Sequence, residues 1–196
     1  VKQIMDTLKK NEEIARKFLK VEKALNSART PSELLETLFR KLEAEFDIPY
    51  IWVSVVKREK DDLQTSLAMP RYLWERVGIL DEGSFDTILP LKTAPVLANE
   101  NLRPFYKLFP ENRKFFLKSI AVVPLTLHGE FRGSLNLGDA SPERYSAGMD
   151  TSLLQHLAEK VSERLDGMLH SREEALSRTG TGVSDSSPDA GVSESE

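Results

Sequence analysis

Apolar residues in the first part of the chain recur at alternating steps of four and three, the spacing of a helix that packs on another helix. These positions are Ile14, Phe18, Val21, Leu25 and Ala28, with a neighbouring row at Ile4, Leu8, Ala15 and Leu19. The pattern predicts one long helix over residues 2–28. Such a helix either packs on its own domain or forms the seam of a dimer, and the pattern fits both.

A second stripe of the same kind lies near the other end of the chain. It consists of Leu154, Ala158, Val161, Leu165 and Met168 and is widened by Leu153, Leu157 and Leu169. The stripe predicts a helix over about residues 150–169, with an apolar face wide enough to pack on a sheet and on a second helix at once.

A further helix is predicted to begin at Thr30-Pro31-Ser32-Glu33. Threonine suits the N-cap, proline is tolerated in the first turn, and a glutamate three residues after the cap completes a capping box. A broad apolar face then continues through about residue 46. The sequence therefore predicts a helix that starts at a defined cap and buries one side.

Strand patterns follow this helix. The run YIWVSVV (50–56) is β-branched and aromatic, which is typical of a central strand. Two apolar runs within residues 119–138 flank His128-Gly129, a pair suited to a tight hairpin turn. Residues 65–69 and 94–99 are shorter candidate strands. The rest of the region 70–118 predicts short helices rich in aromatic residues, laid over the sheet.

Polar residues occur at alternate positions of one predicted core strand. Ser134 and Asn136 alternate with Leu135 and Leu137. On a buried sheet, polar side chains need hydrogen-bonding partners, water or a ligand. The alternation therefore indicates either a satisfied polar core or one wall of a binding pocket.

The distribution of charge separates the body of the chain from its end. The chain has 27 basic and 31 acidic residues and a net charge of −4. Residues 179–196 contain four acidic residues and no basic ones, so residues 1–178 are balanced. This balance argues against a nucleic-acid partner, which calls for a basic excess. The Gly-, Ser- and acid-rich composition predicts a disordered tail over residues 171–196.

Several classes of chemistry are excluded by residue type. The chain has no cysteine, which rules out disulfides, thiolate catalysis and thiolate metal sites. No nucleophile-elbow, phosphate-loop, zinc-protease or EF-hand motif is present. His128, His156 and His170 include no pair at a short metal-binding spacing. We therefore expect no catalytic residue, no metal site and no cofactor.

The sequence also contains no recognisable targeting signal. It begins with Val and carries no signal-peptide pattern. No segment approaches the roughly 20 apolar residues needed to span a bilayer. We expect a cytoplasmic protein with no membrane partner.

The order of elements carries a family resemblance. Two helices, two strands, an irregular helical segment, the hairpin SIAVVPLTLHGEFRGSLNLG and a closing helix resemble a GAF domain. Within that group, the stretch from Asp139 to Arg144, followed by GMDT (148–151), resembles the domain of unknown function, family 484. The resemblance covers residues 30–170 as a GAF-like domain, preceded by residues 1–29 as a long helical segment.

The resemblance implies an α+β fold, with an antiparallel sheet of five or six strands and both terminal helices on one face. It also implies homodimers through helices 4–28 and 150–169, in the manner of a coiled coil, and a ligand on the opposite face. The chain departs from cysteine-dependent members, since it can neither attach a bilin nor run thiol chemistry. It also lacks the signature of cyclic-nucleotide-binding members.

These observations lead to one expectation and one alternative. We expect a non-enzymatic, GAF-like regulatory or sensor module, homodimeric, with a small-molecule pocket on the face opposite the terminal helices. The alternative is a ligand-free module that dimerises or docks a protein partner. The candidate pocket residues are Trp52, Ser54, Arg71, Trp74, Phe105, Tyr106, Ser119, Ala121, Ser134 and Asn136.

Overall fold

A five-stranded sheet forms the centre of the fold. The structure, a computed structural model, describes residues 1–58 and 69–180. The strands are β1 (Tyr50–Val56), β2 (Val77–Leu80), β3 (Val96–Ala98), β4 (Ser119–Leu127) and β5 (Glu130–Asp139). Their order across the sheet is β2-β1-β5-β4-β3, so the hairpin β4–β5 supplies the middle of the sheet.

The predicted hairpin is confirmed. β4 and β5 pair in antiparallel fashion from Ser119–Asp139 to Leu127–Glu130. His128 and Gly129 form the turn with φ angles of 53° and 74°. Two successive positive φ angles match the right-handed twist of the flanking strands, which is why this short connection closes the hairpin.

The sheet is antiparallel except at one edge. There β1 and β2 run parallel, with Val53 beside Val77, so the expectation of a wholly antiparallel sheet is wrong at this edge. A parallel pair needs a crossover of about a dozen residues or more, and the connection over residues 57–76 is long enough. The strand predicted at 65–69 lies, except for Met69, outside the described residues.

Three long helices cover one face of the sheet, here called the helix side. The helices in chain order are α1 (Lys2–Leu25), α2 (Pro31–Phe46), α3 (Arg71–Trp74), α4 (Gly83–Asp86) and α5 (Ser152–Gly180). The three long ones are α1, α2 and α5. The predicted cap of α2 is confirmed, because the Thr30 hydroxyl accepts a hydrogen bond from the Glu33 amide at 3.2 Å.

Both apolar stripes are used inside a single chain. Phe18, Val21, Leu25 and Ala28 of the first stripe are buried in the helix-side core, and Ile14 is half-buried against it. The same core buries Leu154, Ala158, Val161 and Leu165 of the second stripe and packs against Met168. Packing on the chain's own domain is therefore the correct interpretation of these positions, and they are not free to form a dimer seam.

Two contacts set the direction of α1 relative to α5. Glu22 Oε1 lies 2.6 Å from His156 Nδ1, and this carboxylate raises the pKa of His156. Further along both helices, Arg164 donates a hydrogen bond to the Ala28 carbonyl. The two helices therefore run side by side in the same direction, and residues 1–13, which are exposed throughout, lie beyond this paired region.

The last helix is longer than predicted. It continues to Gly180, so residues 171–180 are helical rather than part of a disordered tail. The stretch SREEALSR (171–178) is composed mainly of residues with favourable helix propensity, which extends the helix past Leu169, the last buried position. Residues 181–196 lie outside the described part of the chain.

The opposite face of the sheet, here called the outer face, has its own core. Residues 83–117, apart from β3, cover it and are here called the covering segment; they include α4 and two 3₁₀ helices, Arg103–Leu108 and Lys114–Phe116. The buried side chains of this segment include Phe85, Leu89 and Leu108, which belong to one core with Ile120 and Val122 of β4. Most aromatic residues of the covering segment belong to this core or pack against it, whereas Phe115 and Phe116 are exposed.

A β-bulge in β5 changes which side chains face outward. The pairing steps from Leu125–Gly133 to Thr126–Phe131, so Arg132 is an extra residue in β5. Beyond the bulge, Phe131 packs edge-on against Phe85 of the outer face, with ring centroids 5.1 Å apart. Strict alternation along β5 would place Phe131 on the same face as Leu135 and Leu137, but the bulge moves it to the other face.

Candidate functional site

A cluster of three polar side chains lies at the centre of the outer face. Ser54 of β1 stands opposite Ser134 of β5, and Asn136 is two residues further along β5, on the same face. All three side chains are at most 1 % exposed. Polar groups buried this deeply must find partners within the protein or in a ligand.

The three side chains satisfy one another. The Ser134 hydroxyl donates to Asn136 Oδ1 at 2.6 Å, and Asn136 Nδ2 donates to Ser54 Oγ at 2.8 Å. The second Nδ2 hydrogen is donated to the Leu108 carbonyl at 3.1 Å. We call this group the serine–asparagine cluster. Because Leu108 ends a 3₁₀ helix of the covering segment, the cluster ties that segment to the sheet.

Three of the predicted aromatic residues lie on the same face as this cluster. Trp52, Phe105 and Tyr106 are half-buried and pack against the outer-face core. Together with the cluster they place six of the ten candidate residues on the outer face. The described residues bring these six together as a packed surface under the covering segment.

Ser119 and Ala121 lie on the helix side instead. Ala121 pairs with Leu137, whereas Val122 pairs with Asn136, so Val122 shares the face of the cluster. Ala121 is buried among the helix-side residues, and Ser119 Oγ donates to the Ser141 carbonyl at 2.6 Å. The expectation that both residues share a face with Asn136 is wrong, because a shift of one residue in strand register reverses every side chain.

Arg71 and Trp74 are also not part of the outer face. Both belong to α3, where Arg71 is exposed and Trp74 packs against the helix-side core. The chain passes from α3 into the edge strand β2. Their placement over the outer face was therefore wrong, because the order of elements in the chain gave no information about the side from which β2 is approached.

A cavity that sequence reasoning missed lies on the helix side. It has a volume of about 550 Å³ and lies between α1, the end of α2, the segment after β5 and the start of α5. We call it the helix-side groove. Its lining is mostly apolar and includes Ile14, Phe46, Tyr145, Met149 and Leu153. Met149 and Leu153 are 43 % and 37 % exposed, which is unusual for apolar residues beside a core.

The segment after β5 forms one wall of this groove and is hydrogen-bonded to the end of α2. Arg144 donates to the carbonyls of Phe46 and Asp47 and, at 2.9 Å, to Asp139 Oδ2. The Asp139 carboxylate also accepts from the Ser141 amide at 2.8 Å. Arg144 therefore caps the carbonyl end of α2, where a cation is favoured by the helix dipole. Burial raises the pKa of the neighbouring Tyr145.

Replacing Arg144 by methionine is expected to lower the free energy of unfolding by about 2 kcal/mol, because it removes charge-assisted hydrogen bonds at a partly buried site. Urea unfolding followed by circular dichroism measures the change. Arg71→Met, at an exposed arginine, is the matched control and is expected to stay within about 0.5 kcal/mol. Equal effects of the two substitutions would contradict a pinning role.

Among residues 1–58 and 69–180, no group of three or more histidine, cysteine, aspartate or glutamate side chains is arranged to hold a metal ion. Within the same ranges, every helix falls short of the length and apolar character needed to cross a membrane.

The mixed sheet with terminal helices on one face and a covering segment on the other is the fold of a GAF domain. A GAF domain of a phosphoenolpyruvate-protein phosphotransferase from Coxiella burnetii superposes with a TM-score of 0.55 at 15 % identity, covering 83 % of this chain and 98 % of that one. The corresponding domain from Acinetobacter gives a TM-score of 0.52 at 14 % identity, with coverages of 81 % and 93 %.

A third GAF domain, from a sensor histidine kinase of Pseudomonas syringae pv. tomato, gives a TM-score of 0.50 at 14 % identity, with coverages of 90 % and 99 %. The family model described as "Protein of unknown function, DUF484" matches residues 1–169, and the chain belongs to this family. A search of the curated proteins finds no significant match. Both resemblances noted in the sequence are thus confirmed.

Proposed function

We propose that this chain is a non-enzymatic, GAF-like regulatory module that acts through protein contacts and as a homodimer. The observation that carries the proposal is the serine–asparagine cluster. Its side chains were the best candidates for polar contacts to a ligand, and they bond to one another and to the covering segment instead. This arrangement favours the ligand-free alternative over the sensor with a pocket on the outer face.

A ligand bound at the outer face would have to displace parts of the protein that are already packed there. Entry at this face requires the Leu108 carbonyl to leave Asn136 and the buried apolar side chains around it to separate. Each buried group that loses its partner costs about 1–3 kcal/mol unless the ligand replaces the bond. A ligand would therefore spend much of its binding energy on opening the protein.

The similar structures support a regulatory role. They are GAF domains of proteins described as a phosphoenolpyruvate-protein phosphotransferase and a sensor histidine kinase. In those proteins the domain accompanies an enzymatic function that belongs to the larger protein. We extend a regulatory role to this chain as part of the proposal, because it shares the fold of those domains.

Small-molecule sensing at the outer face is the second candidate function. Trp52, Phe105 and Tyr106 favour it, because these rings are only half-buried on the outer face. Aromatic rings with exposed faces can stack on a planar ligand. The remaining predicted residues on this face, Ser54, Ser134 and Asn136, would then supply the hydrogen bonds after the covering segment opens.

Native mass spectrometry of the purified full chain distinguishes the two candidates. Under native conditions we expect the mass of a dimer with no retained small molecule. Denaturing extraction of the same sample is expected to release the single chain and no small molecule. A monomer at micromolar concentration would contradict the homodimer. A stoichiometric small molecule that is released on denaturation, and is lost from an Asn136→Leu variant, would favour the sensor instead.

A further inference from the structure

Two neighbouring phenylalanines are exposed on the covering segment. Phe115 and Phe116 are 75 % and 57 % exposed, whereas the other seven phenylalanines of the chain are buried or half-buried. An exposed apolar patch with a polar rim is typical of a surface that another molecule covers.

Local structure holds both rings in this position. Residues 110–117 form two consecutive turns, in which the amides of Arg113 and Phe116 each donate to the carbonyl three residues earlier, both at 3.0 Å. Leu117 follows and is buried in the outer-face core. A 3₁₀ helix has three residues per turn, so burial of Leu117 directs the two preceding side chains outward. The exposure of the pair therefore follows from the packing of the segment.

Basic side chains accompany the pair. Lys107, Arg113 and Lys118 are exposed, and within the described ranges no carboxylate lies at ion-pair distance from any of them. Lys114 is placed against the pair itself, with its Nζ 5.2 Å from the centroid of the Phe115 ring. We use the term phenylalanine patch for Lys107, Arg113, Lys114, Phe115, Phe116 and Lys118.

The two 3₁₀ helices of the covering segment meet at this place. A Cβ at Gly138 of β5 would lie 2.4 Å from Leu117 Cδ2 and 3.2 Å from Phe109 Cε1, so both side chains cover the same point of the sheet. Lys107 precedes Phe109 by two residues, and Lys118 follows Leu117 directly. The basic residues that flank these two side chains therefore belong to one surface.

Few carboxylates offset the charge of this surface. Glu111 is the one acidic residue within the stretch that contains the patch, and it lies 3.6 Å from Lys114. Asp139, whose carbonyl accepts from the Lys118 amide, has its carboxylate 2.9 Å from Arg144. The patch thus carries four basic residues on a chain whose net charge is −4. Such a local excess favours a partner whose negative charge is also local.

We propose that the phenylalanine patch binds an acidic segment of a partner protein, with an apolar side chain of that segment packed on the two rings and its carboxylates beside the basic residues. This inference rests on the proposed function, which is action through protein contacts, and names the surface that makes one of them. Clusters of basic residues recognise acidic motifs, and aromatic side chains and arginine are enriched at protein interfaces.

A lipid surface and a single-stranded nucleic acid are the main rival partners. Both are extended polyanions, and the net charge of −4 opposes their approach to the rest of the chain. Base stacking needs open ring faces, and Lys114 lies over one face of Phe115. Adjacent side chains of a 3₁₀ helix point about 120° apart, so the two rings do not present one common face to a lipid surface.

Fluorescence anisotropy with a defined probe tests the inference. The probe is a labelled peptide of about 12 residues in which aspartate and glutamate alternate with leucine and tryptophan, and its control has asparagine and glutamine at the acidic positions. The full chain is expected to bind the acidic peptide with a dissociation constant of about 10–100 μM in about 50 mM salt. The neutral peptide is expected to bind about tenfold more weakly or not at all.

Two matched pairs of variants locate the binding. The double change Phe115→Ser and Phe116→Ser is expected to weaken it by about tenfold or more, whereas Leu176→Ser, at a similarly exposed leucine of α5, stays within about twofold. Lys118→Glu is expected to weaken it by about fivefold or more, whereas Arg40→Glu on α2 stays within about twofold. All these side chains are exposed, so the variants keep the fold, which circular dichroism checks.

Several results would overturn the proposal. They are absence of binding to the acidic peptide, equally tight binding of the neutral peptide, and equal losses in the phenylalanine double variant and Leu176→Ser. Tighter binding to vesicles of phosphatidylcholine and phosphatidylserine, or to a single-stranded oligonucleotide, would assign the patch to that rival. Tighter binding of a peptide with the sequence of residues 181–196 would assign it to the chain's own acidic end.

These results are independent of the test of the proposed function. A monomer, or a small molecule retained in native mass spectrometry, counts against the homodimer or the ligand-free module and does not change the peptide measurement. Failure of the peptide to bind overturns the phenylalanine patch and leaves the homodimer standing.

Discussion

Replacing Gly133 by alanine is expected to lower the free energy of unfolding by about 3 kcal/mol or more. Gly133 lies next to the β-bulge in β5, the strand that runs between β1 and β4, and has a φ angle of 154°. A Cβ at this position would lie 2.0 Å from the Ser54 carbonyl oxygen and 3.1 Å from the Val55 Cα. These are backbone atoms of the central sheet, so neither can rotate away, and the strand pairing itself must shift.

Two other glycines separate steric conflict from backbone strain. Gly129→Ala keeps a positive φ of 74° but meets no atom within 4 Å, so it is expected to cost about 1–2 kcal/mol from strain alone. Gly167→Ala, in the middle of α5 with open space around it, is expected to stabilise by about 0.5–1 kcal/mol. Urea unfolding midpoints measure all three. Equal midpoints for Gly133→Ala and Gly129→Ala would show that the close approach at Ser54 has relaxed.

Elements with local causes could be predicted from the sequence. The cap at Thr30 and the turn at His128-Gly129 depend on residues within a few positions of each other, and both are confirmed. The helical stripes were also readable, because a period of 3.6 residues is a property of one segment. The surface on which each stripe packs could not be predicted. The spacing at Phe18 and Val161 is the same whether the opposing surface belongs to the same chain or to a second copy.

Features that depend on register could not be predicted. The extra residue Arg132 reverses the side of Phe131, and the pairing of Val122 with Asn136 moves Ser119 and Ala121 to the helix side. Alternation within one strand gives two faces but does not say which face of one strand joins which face of the next. A shift of one residue therefore misplaced part of the candidate site.

The groove and the role of Arg144 could not be predicted from the sequence, for a different reason. Arg144 bonds to the carbonyls of Phe46 and Asp47, almost a hundred residues earlier in the chain. The stretch from Asp139 to Arg144 therefore indicated the family, but the sequence alone did not show what Arg144 does in the fold. In the structure, Arg144 caps the carbonyl end of α2. The exposed Met149 lies in the same loop, where no periodicity exists to mark it as part of a cavity wall.

Replacing Asn136 by alanine is expected to lower the free energy of unfolding by about 3–4 kcal/mol. The substitution removes three hydrogen bonds, leaves the Leu108 carbonyl without its side-chain donor, and opens a cavity at a fully buried position. Lost partners and lost packing each cost about 1–3 kcal/mol in such sites. Ser134→Ala is the matched control, because it removes one hydroxyl from the same cluster and is expected to cost only about 1 kcal/mol. Urea unfolding with an unchanged slope measures both values.

Hydrogen exchange then tests whether the cluster keeps the outer face closed. If the bond from Asn136 to Leu108 holds the covering segment down, Asn136→Ala exposes the amides near residues 103–109 to faster exchange, while those of α2 keep their protection. Ser134→Ala leaves the Leu108 bond in place and is expected to change these amides much less. Uniformly faster exchange across the chain would mean that only global stability had fallen. Unchanged exchange near Leu108 would remove the argument that the cluster closes this face, and with it the preference for a ligand-free module.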